Sequence, residues 1–555
     1  MPIMRIPVRR REAFLPPELA DIPTEAAAAS EERAHDPIYR LQRMERRLVR
    51  SALAHPDVLT AEELRRLRYL ISFARLTVFE PGAAGGAGRR GRGDVDVSDE
   101  LAQWRSKVID AFAQSLGRER DREVRLQLAR EVLRSLEAEQ TEQREALLER
   151  HRNDFSPAEL DAEVGLRSLV LVLGGGGGAG FVYIGALKQL VESGRIPDYM
   201  MGGSMGAILG GIFARELPVP IEQYVEFAHS LSYRGILGPE PRTRRHGLTS
   251  LFALRYDAFA ADLFRRPDGE QMRMEDLAIP FDCVVSGVHQ DLFGRLPARF
   301  RRQQLANVQG RGLPFRPIGI GPVASSRLWQ IASFIDARVV KPMVIGADDL
   351  TRQFDVVDAQ SFSAAIPGIL HHEAKSERMI ALVDEWMAQK KVAALVDGVA
   401  AANVPVELAY RRLRDGRIGT RNGVVVALDS MHPRWDPKHL WMTPVTQAVA
   451  VQMIGNAPYA DHLERMTPTL SPVTLAPNRA GMDRAIAWGE ASMTALEPLL
   501  DALTAPVWWD GDRPSYDTTP EAPRRTSMAP SMASVLEAYG RRHEWWQRTR
   551  GRYLT

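Results

Sequence analysis

Two glycine-rich turns lying close together constrain this chain more than anything else in it. Residues 168–217 read SLVLVLGGGGGAGFVYIGALKQLVESGRIPDYMMGGSMGAILGGIFAREL. The run from Ser168 to Leu187 carries no charge, which raises a membrane span as a reading. Five consecutive glycines would make such a helix roughly 5 kcal/mol worse than alanine. The run reads instead as a short Val/Leu strand over 169–173, a turn at 174–180, and a helix. In that helix Val182, Ile184, Ala186, Leu187, Leu190 and Val191 recur at helical spacing until Gly194 stops it. A helix start beside a glycine turn directs unpaired N–H groups at whatever negative charge arrives there.

The pattern then repeats. Tyr199, Met200 and Met201 end a strand, Gly202-Gly203-Ser204-Met205-Gly206 follows, and Ala207 to Phe213 returns to helical spacing. This is G-x-S-x-G at a strand-to-helix corner, the arrangement that exposes a serine nucleophile on a strained turn. Strand and helix approach closely on either side of the serine, so Gly202 and Gly206 are positions where a Cβ has no room. Ser204 is therefore the candidate nucleophile. Gly175, Gly176, Gly177, Gly178 and Gly180 are the candidate anion cradle.

One alternative uses the same glycines. Gly175-x-Gly177-x-x-Gly180 matches the G-x-G-x-x-G of nucleotide-binding oxidoreductases. That motif wants an acidic residue about twenty positions on, at the end of the next strand. Here Asp198 precedes the strand, and Gly-Gly-Ser ends it.

The residues just quoted resemble those of the patatin-like phospholipase family. Gly175, Gly176, Gly177 and Gly180 match its glycine turn, and Ile184-Gly185-Ala186-Leu187 the helix behind it. The 202–206 turn matches its elbow. Ser363-Ala364-Ala365-Ile366-Pro367-Gly368 is similar to its Ser-x-Ala-x-Pro-Gly segment. Asp397-Gly398-Val399, with Asn403 and Pro405 after it, is similar to its third motif. Two positions depart from the pattern: Ala179 replaces a basic residue, and Val399 stands where the family has a small one.

The resemblance implies a three-layer α/β sandwich around a mostly parallel sheet. It implies a lipid acyl hydrolase of phospholipase A or lysophospholipase type, working through a Ser204–Asp397 dyad without histidine, metal or cofactor. His371 and His372 are the residues a Ser-His-Asp triad would need, and the resemblance does not use them. The substrate class it implies is a phospholipid, lysophospholipid or neutral glyceride, met at a membrane surface. A third reading is a non-catalytic lipid-binding or scaffold protein that uses the N-terminal helices.

Outside the motifs the chain divides by composition. Its 555 residues carry a formal net charge of +2, which gives no general pull on nucleic acid. The single cysteine, Cys283, excludes an internal disulfide and fits a buried strand over 281–285 in a reducing compartment. Arg9-Arg10-Arg11 is followed by prolines rather than an apolar core, so no secretory signal is read. The expected location is cytoplasmic, peripheral at the membrane.

Residues 1–160 form an expected helical region, with amphipathic helices over 36–75 and from Ser98, a candidate N-cap, to about 152. Its role is open among partner surface, lid and brace, and its shape between a helical domain and a coiled-coil arm. A Gly/Arg-rich linker at 82–94 interrupts it. The catalytic α/β domain is expected over 165–430, with strands at 281–288, 341–345, 392–396 and 424–428. Asp397 then stands at a strand end. A helical or irregular extension is expected over 431–555. Basic patches at 242–246 and 299–302, and the Trp508-Trp509 and Trp545-Trp546 pairs, are candidates for lipid contact. Surface loops and helix packing are the competing readings.

Overall fold

The run Ser168–Leu173 forms β1, buried along its whole length, near the middle of a seven-stranded sheet. The computed structural model describes residues 32–84, 93–231, 236–290 apart from 240–244, 249, 251 and 257–259, 339–432 apart from 368, and 443–514 apart from 512, with Met532 and Val535. The leader, most of the 82–94 linker, Arg242–Arg244, Arg299–Arg302, Gly368, most of the Pro-rich stretch and Trp545-Trp546 lie outside the described residues.

Among the described residues five α-helices precede the sheet. They are α1 (Pro37–Ala54), α2 (Ala61–Arg75), α3 (Ala102–Ala111), α4 (Arg122–Arg150) and α5 (Pro157–Gly165). Their starts are written in the sequence. Asp36 accepts from the Ile38 amide ahead of a proline. Thr60 with Glu63, and Ser156 with Glu159, close capping boxes. Ser98 is not a cap: α3 begins after Leu101, with no side-chain cap.

The helical run from 98 to 152 is also broken, by a π-helical turn at Ala113–Arg118. That break lets α4 fold back. Its Leu126, Ala129, Leu133 and Leu136 are buried with Leu48, Leu70 and Phe73 of α1 and α2. The region is a packed helical core rather than a projecting arm. Trp509 joins that core, close to Tyr69, with its Nε1 donating to Thr141 Oγ1 at 3.0 Å. Trp508 lies under the guanidinium of Arg65, 4.5 Å from the ring centre. A buried carboxylate, Glu45, ties this core to the sheet through Arg68, Arg75 and Arg167, the residue just before β1.

The other strands are β2 (Tyr199–Gly203), β3 (Phe281–His289), β4 (Val340–Ile345), β5 (Val392–Asp397), β6 (Gly423–Asp429) and β7 (His462–Arg465). The order is β5-β3-β2-β1-β6-β7, with β4 also on β3. β7, β6, β1, β2 and β3 run parallel, whereas β4 and β5 are antiparallel to β3. The sheet therefore continues past residue 430, because β7 pairs with β6.

Period-two alternation sorts the strand residues into two cores. Leu169, Leu171 and Leu173 face one layer, while Val170 and Val172 face the other. The first layer holds α6 (Val182–Glu192), α7 (Met205–Phe213), α8 (Ile221–His229), α9 (Val356–Ser363), α10 (Glu377–Gln389) and, after α11 and α12, α13 (Arg479–Thr504). The second holds α11 (Val406–Arg414), with α12 (Thr443–Asn456) behind it. This is the three-layer sandwich with a mostly parallel sheet. A Cβ on Gly185 would stand 1.8 Å from Ile486 O, and one on Gly489 2.0 Å from Val182 O, so α6 and α13 cross backbone to backbone.

Candidate active site

β2 ends at Gly203 and α7 begins at Met205, so Ser204 carries the whole change of direction. Its φ of 52° and ψ of −122° lie where a side chain is strained by about 1–3 kcal/mol. The flanking glycines make the corner possible. A Cβ on Gly202 would stand 2.4 Å from Gly206 O, and one on Gly206 2.3 Å from Leu173 O. The Ser204 amide donates to Ser363 Oγ at 2.9 Å, and Ser363 Oγ donates in turn to Val284 O at 2.6 Å. The serine of the Ser-x-Ala-x-Pro-Gly segment thus locks the elbow onto β3.

Asp397 stands at the end of β5, as expected, and β5 runs antiparallel to β3. β2 pairs with β3 over Phe281–Val284, and β5 pairs with β3 over Val285–His289. β4 pairs across Cys283–Val288 and overlaps both, so β2 and β5 share the opposite edge of β3. They run toward each other along that edge and meet end to end: Gly203 sits opposite Val284, and Asp397 opposite Val285.

Ser204 Oγ donates to Asp397 Oδ2 at 2.7 Å. Asp397 Oδ1 accepts from the Val399 amide at 2.8 Å, and the Asp397 amide donates to Ala365 O at 2.8 Å. Ser286 Oγ donates to Asp397 O at 2.8 Å and accepts from the Ala401 amide, which holds the turn after the carboxylate. Ser204 and Asp397 are both buried. Burial pushes the Asp397 carboxyl up to about 7; the Val399 amide and the Ser204 hydroxyl, which favour the charged form, offset only part of this.

The glycine turn lies against the pair. A Cβ on Gly175 would meet Val399 Cγ2 at 2.1 Å and Ser204 Cβ at 3.1 Å. Its amide donates to Asn403 O at 3.0 Å, and the Gly178 amide to Pro472 O at 2.8 Å. The Gly175 and Gly178 amides are thus engaged and are not free donors; Gly175 packs against Ser204 and Val399, and Gly178 against the 471–474 turn. The amides of Gly176 and Gly177 have no acceptor among the described residues. Gly177 has φ of +50° and opens a short 3-10 turn, Gly177–Phe181, that includes Gly180 and runs into α6.

Ser204 and Gly177 open into an apolar pocket, about 990 Å³ of empty space including its mouth. α7 and α8 supply much of the lining, including Ile208, Ile212 and Phe227, and Leu254, Ile366 and Leu475 close it. The two tyrosines in the wall turn their hydroxyls away: Tyr224 to Glu216, Tyr256 to Gln360.

The histidines take other partners. His371 lies between Leu248 O and Glu373, and His372 Nε2 lies 2.6 Å from Asp358 Oδ1. Asp198 sits at the opposite end of β2 from Ser204, where it accepts from the Leu169 amide at 2.9 Å. No group of three or more His, Cys, Asp or Glu side chains among the described residues is arranged to hold a metal ion. The elbow-locking role of Ser363 and the support from Ser286 and Asn403 were not legible in the sequence, although Ser363 and Asn403 stand inside quoted motifs.

Residues 171–410 match the family model of the patatin-like phospholipases, so the chain carries a patatin-like domain. Among curated proteins, part of it is 45% identical over 53 residues to a lysophospholipase of Emericella nidulans, covering 10% of this chain and 4% of that one. A lysophospholipase of Saccharomyces cerevisiae is 37% identical over 73 residues, 13% and 4% of the two chains. A patatin-like phospholipase domain-containing protein of Caenorhabditis elegans is 29% identical over 140 residues, 25% and 10%. The alignments thus span a tenth or less of these relatives' lengths.

Proposed function

We propose that the protein hydrolyses carboxylic esters of lipids through Ser204 and Asp397. The observation that carries this reading is the 2.7 Å hydrogen bond from Ser204 Oγ to a buried carboxylate at the head of an apolar pocket. A serine hydroxyl is a weak nucleophile at neutral pH and needs a base in contact with it. Asp397 ionises near 7, which suits a base that takes a proton and then returns it. Ser204 attacks the ester carbonyl, and Asp397 takes the hydroxyl proton and delivers it to the departing alcohol. Water then enters, Asp397 takes its proton and returns it to Ser204 Oγ as the bond to the acyl group breaks, and the acyl group leaves as a carboxylic acid.

The carbonyl oxygen gains charge in both steps. The Gly176 and Gly177 amides are the donors we assign to it, and one such donor is typically worth about 3 kcal/mol. The apolar pocket suits an acyl chain, each buried methylene contributing about 0.8 kcal/mol. The relatives named above as lysophospholipases favour a lysophospholipid among lipid esters. No helix among the described residues is long and apolar enough to cross a membrane. We assign contact with lipid to the mouth of the apolar pocket. The nucleotide-binding alternative lacks support: Gly203 and Ser204 occupy the strand end where it requires an acid.

The test is fatty acid release from lysophosphatidylcholine by the purified chain. Wild type is expected to release it, and folded Ser204→Ala is expected to release none. Release by Ser204→Ala at the wild-type rate would overturn the assignment. Vesicle binding without release by wild type would favour the scaffold reading.

A further inference from the structure

The pocket wall beside the nucleophile comes partly from outside the patatin-like span. That span ends at residue 410, and among the described residues Leu475 alone of the lining lies beyond it. Leu475 belongs to the segment that leaves β7 and enters α13. Both ends of the segment are fixed. The Met466 amide donates to Asp429 O at 2.9 Å, and the Asn478 side chain caps α13 through the Gly481 amide at 2.8 Å. Between them the chain turns tightly, with Thr474 N to Ser471 O at 2.9 Å and Leu475 N to Val473 O at 3.0 Å.

This turn lies directly on the glycine loop. Pro472 O takes the Gly178 amide at 2.8 Å. A Cβ on Gly177 would stand 2.4 Å from Pro472 O, and one on Gly178 2.3 Å from Thr474 O. Two glycines of the loop are thus required by the 471–475 turn as well as by the site. Leu475 Cδ2 comes within 3.6 Å of the Cβ position on Gly177. Its methyl therefore lies beside Gly177, whose amide we assign to the ester oxygen.

We propose that Leu475 is a specificity-determining residue that limits the bulk of the acyl group next to the ester carbonyl. The proposal rests on the ester-hydrolase reading of Ser204. A larger side chain at 475 narrows the passage for any acyl group longer than acetyl. A smaller one makes room for a branch at the carbon beside the carbonyl. The effect acts on the ratio between substrates, because Leu475 is assigned no part in the proton or acyl transfer.

The experiment compares wild type, Leu475→Trp and Leu475→Ala on p-nitrophenyl acetate, octanoate and 2-methyloctanoate, with circular dichroism and Tm to establish folding. In Leu475→Trp, kcat/KM for octanoate is expected to fall about tenfold relative to acetate. In Leu475→Ala, the branched ester is expected to gain about threefold or more relative to octanoate. Should the tryptophan variant fail to fold, the alanine variant carries the test. Folded, active variants with wild-type ratios would overturn the role of Leu475 alone. A wild-type protein that cleaves none of these esters and takes up no fluorophosphonate would overturn the hydrolase reading, and this one with it.

Discussion

Replacing Asp397 by asparagine should remove activity and add stability, and the second effect should depend on pH in a way that can be worked out. Asparagine keeps the shape of the site. Its oxygen can accept from the Val399 amide and its nitrogen can face Ser204 Oγ, so both contacts of the carboxylate survive in altered form. The base is lost, so kcat should fall on the order of a thousandfold. The stability argument rests on the raised carboxyl, which moves from 3.8 to about 7 on folding, burial being the cause. A raised acid binds its proton more tightly folded than unfolded. It therefore penalises the folded state above the unfolded value, and the penalty grows until pH passes the folded value.

At about 1.36 kcal/mol per unit the full penalty is about 4 kcal/mol above pH ~8, and only about 0.5 kcal/mol remains near pH 4. Asparagine carries no such penalty. Urea unfolding of wild type and Asp397→Asn at pH 4 and pH 8.5 reads the difference. The variant should gain several kcal/mol at the higher pH and almost nothing at the lower. A gain independent of pH, or a loss at pH 8.5, would refute the claim that a carboxylate is held ionised in this interior. The same ionisation should shape the wild-type rate, with kcat/KM falling about tenfold per pH unit below 7.

The other predictions concern the elbow, the glycine turn and the brace beneath the sheet. Ser204→Gly should be inactive yet about 1 kcal/mol more stable than Ser204→Ala by chemical denaturation, because glycine accepts the positive φ that alanine does not. Gly175→Ala should lose ester hydrolysis and lower Tm, since the new methyl would lie 2.1 Å from Val399 Cγ2 and 3.1 Å from Ser204 Cβ. Glu45→Ala should cost about 3–5 kcal/mol at neutral pH, because it leaves Arg68, Arg75 and Arg167 buried without their shared carboxylate. Burial alone would raise the Glu45 carboxyl, but the three arginines outweigh it and hold the group at about 2. Its contribution is therefore complete above about pH 4.5 and is lost as pH falls toward 2, so the variant's deficit in urea unfolding should shrink in acid.

What the sequence disclosed depended on whether a residue type carried the physics. The elbow was legible because steric crowding at Gly202 and Gly206 leaves a glycine signature around one serine. The core strands were legible as apolar runs; the caps of α2 and α5, Thr60 with Glu63 and Ser156 with Glu159, were not read, and the one cap that was, Ser98, is not one. Asp397 was singled out by motif resemblance and by its place at a strand end. Its meeting with Ser204 depends on β5 running backwards along β3, and nothing in the run 392–397 records direction. Ser363 stood inside a quoted segment, but its bond to the Ser204 amide joins residues far apart in the chain.

The 471–475 turn left no trace because backbone carbonyls make its contacts, and any residue supplies those. The N-terminal helices were legible one by one. Their packing was not, because the π-helical turn at 113–118 that folds α4 back has no simple sequence mark.

The central claim is that Ser204 is made nucleophilic by Asp397. Its most direct test is covalent labelling with a fluorophosphonate, followed by mass spectrometry of the peptide containing residue 204. Wild type should gain a single adduct, on Ser204, with a rate that rises with pH through about 7. Asp397→Asn should label far more slowly, and Ser204→Ala not at all. An adduct on another residue, or labelling of Asp397→Asn as fast as wild type, would contradict the account.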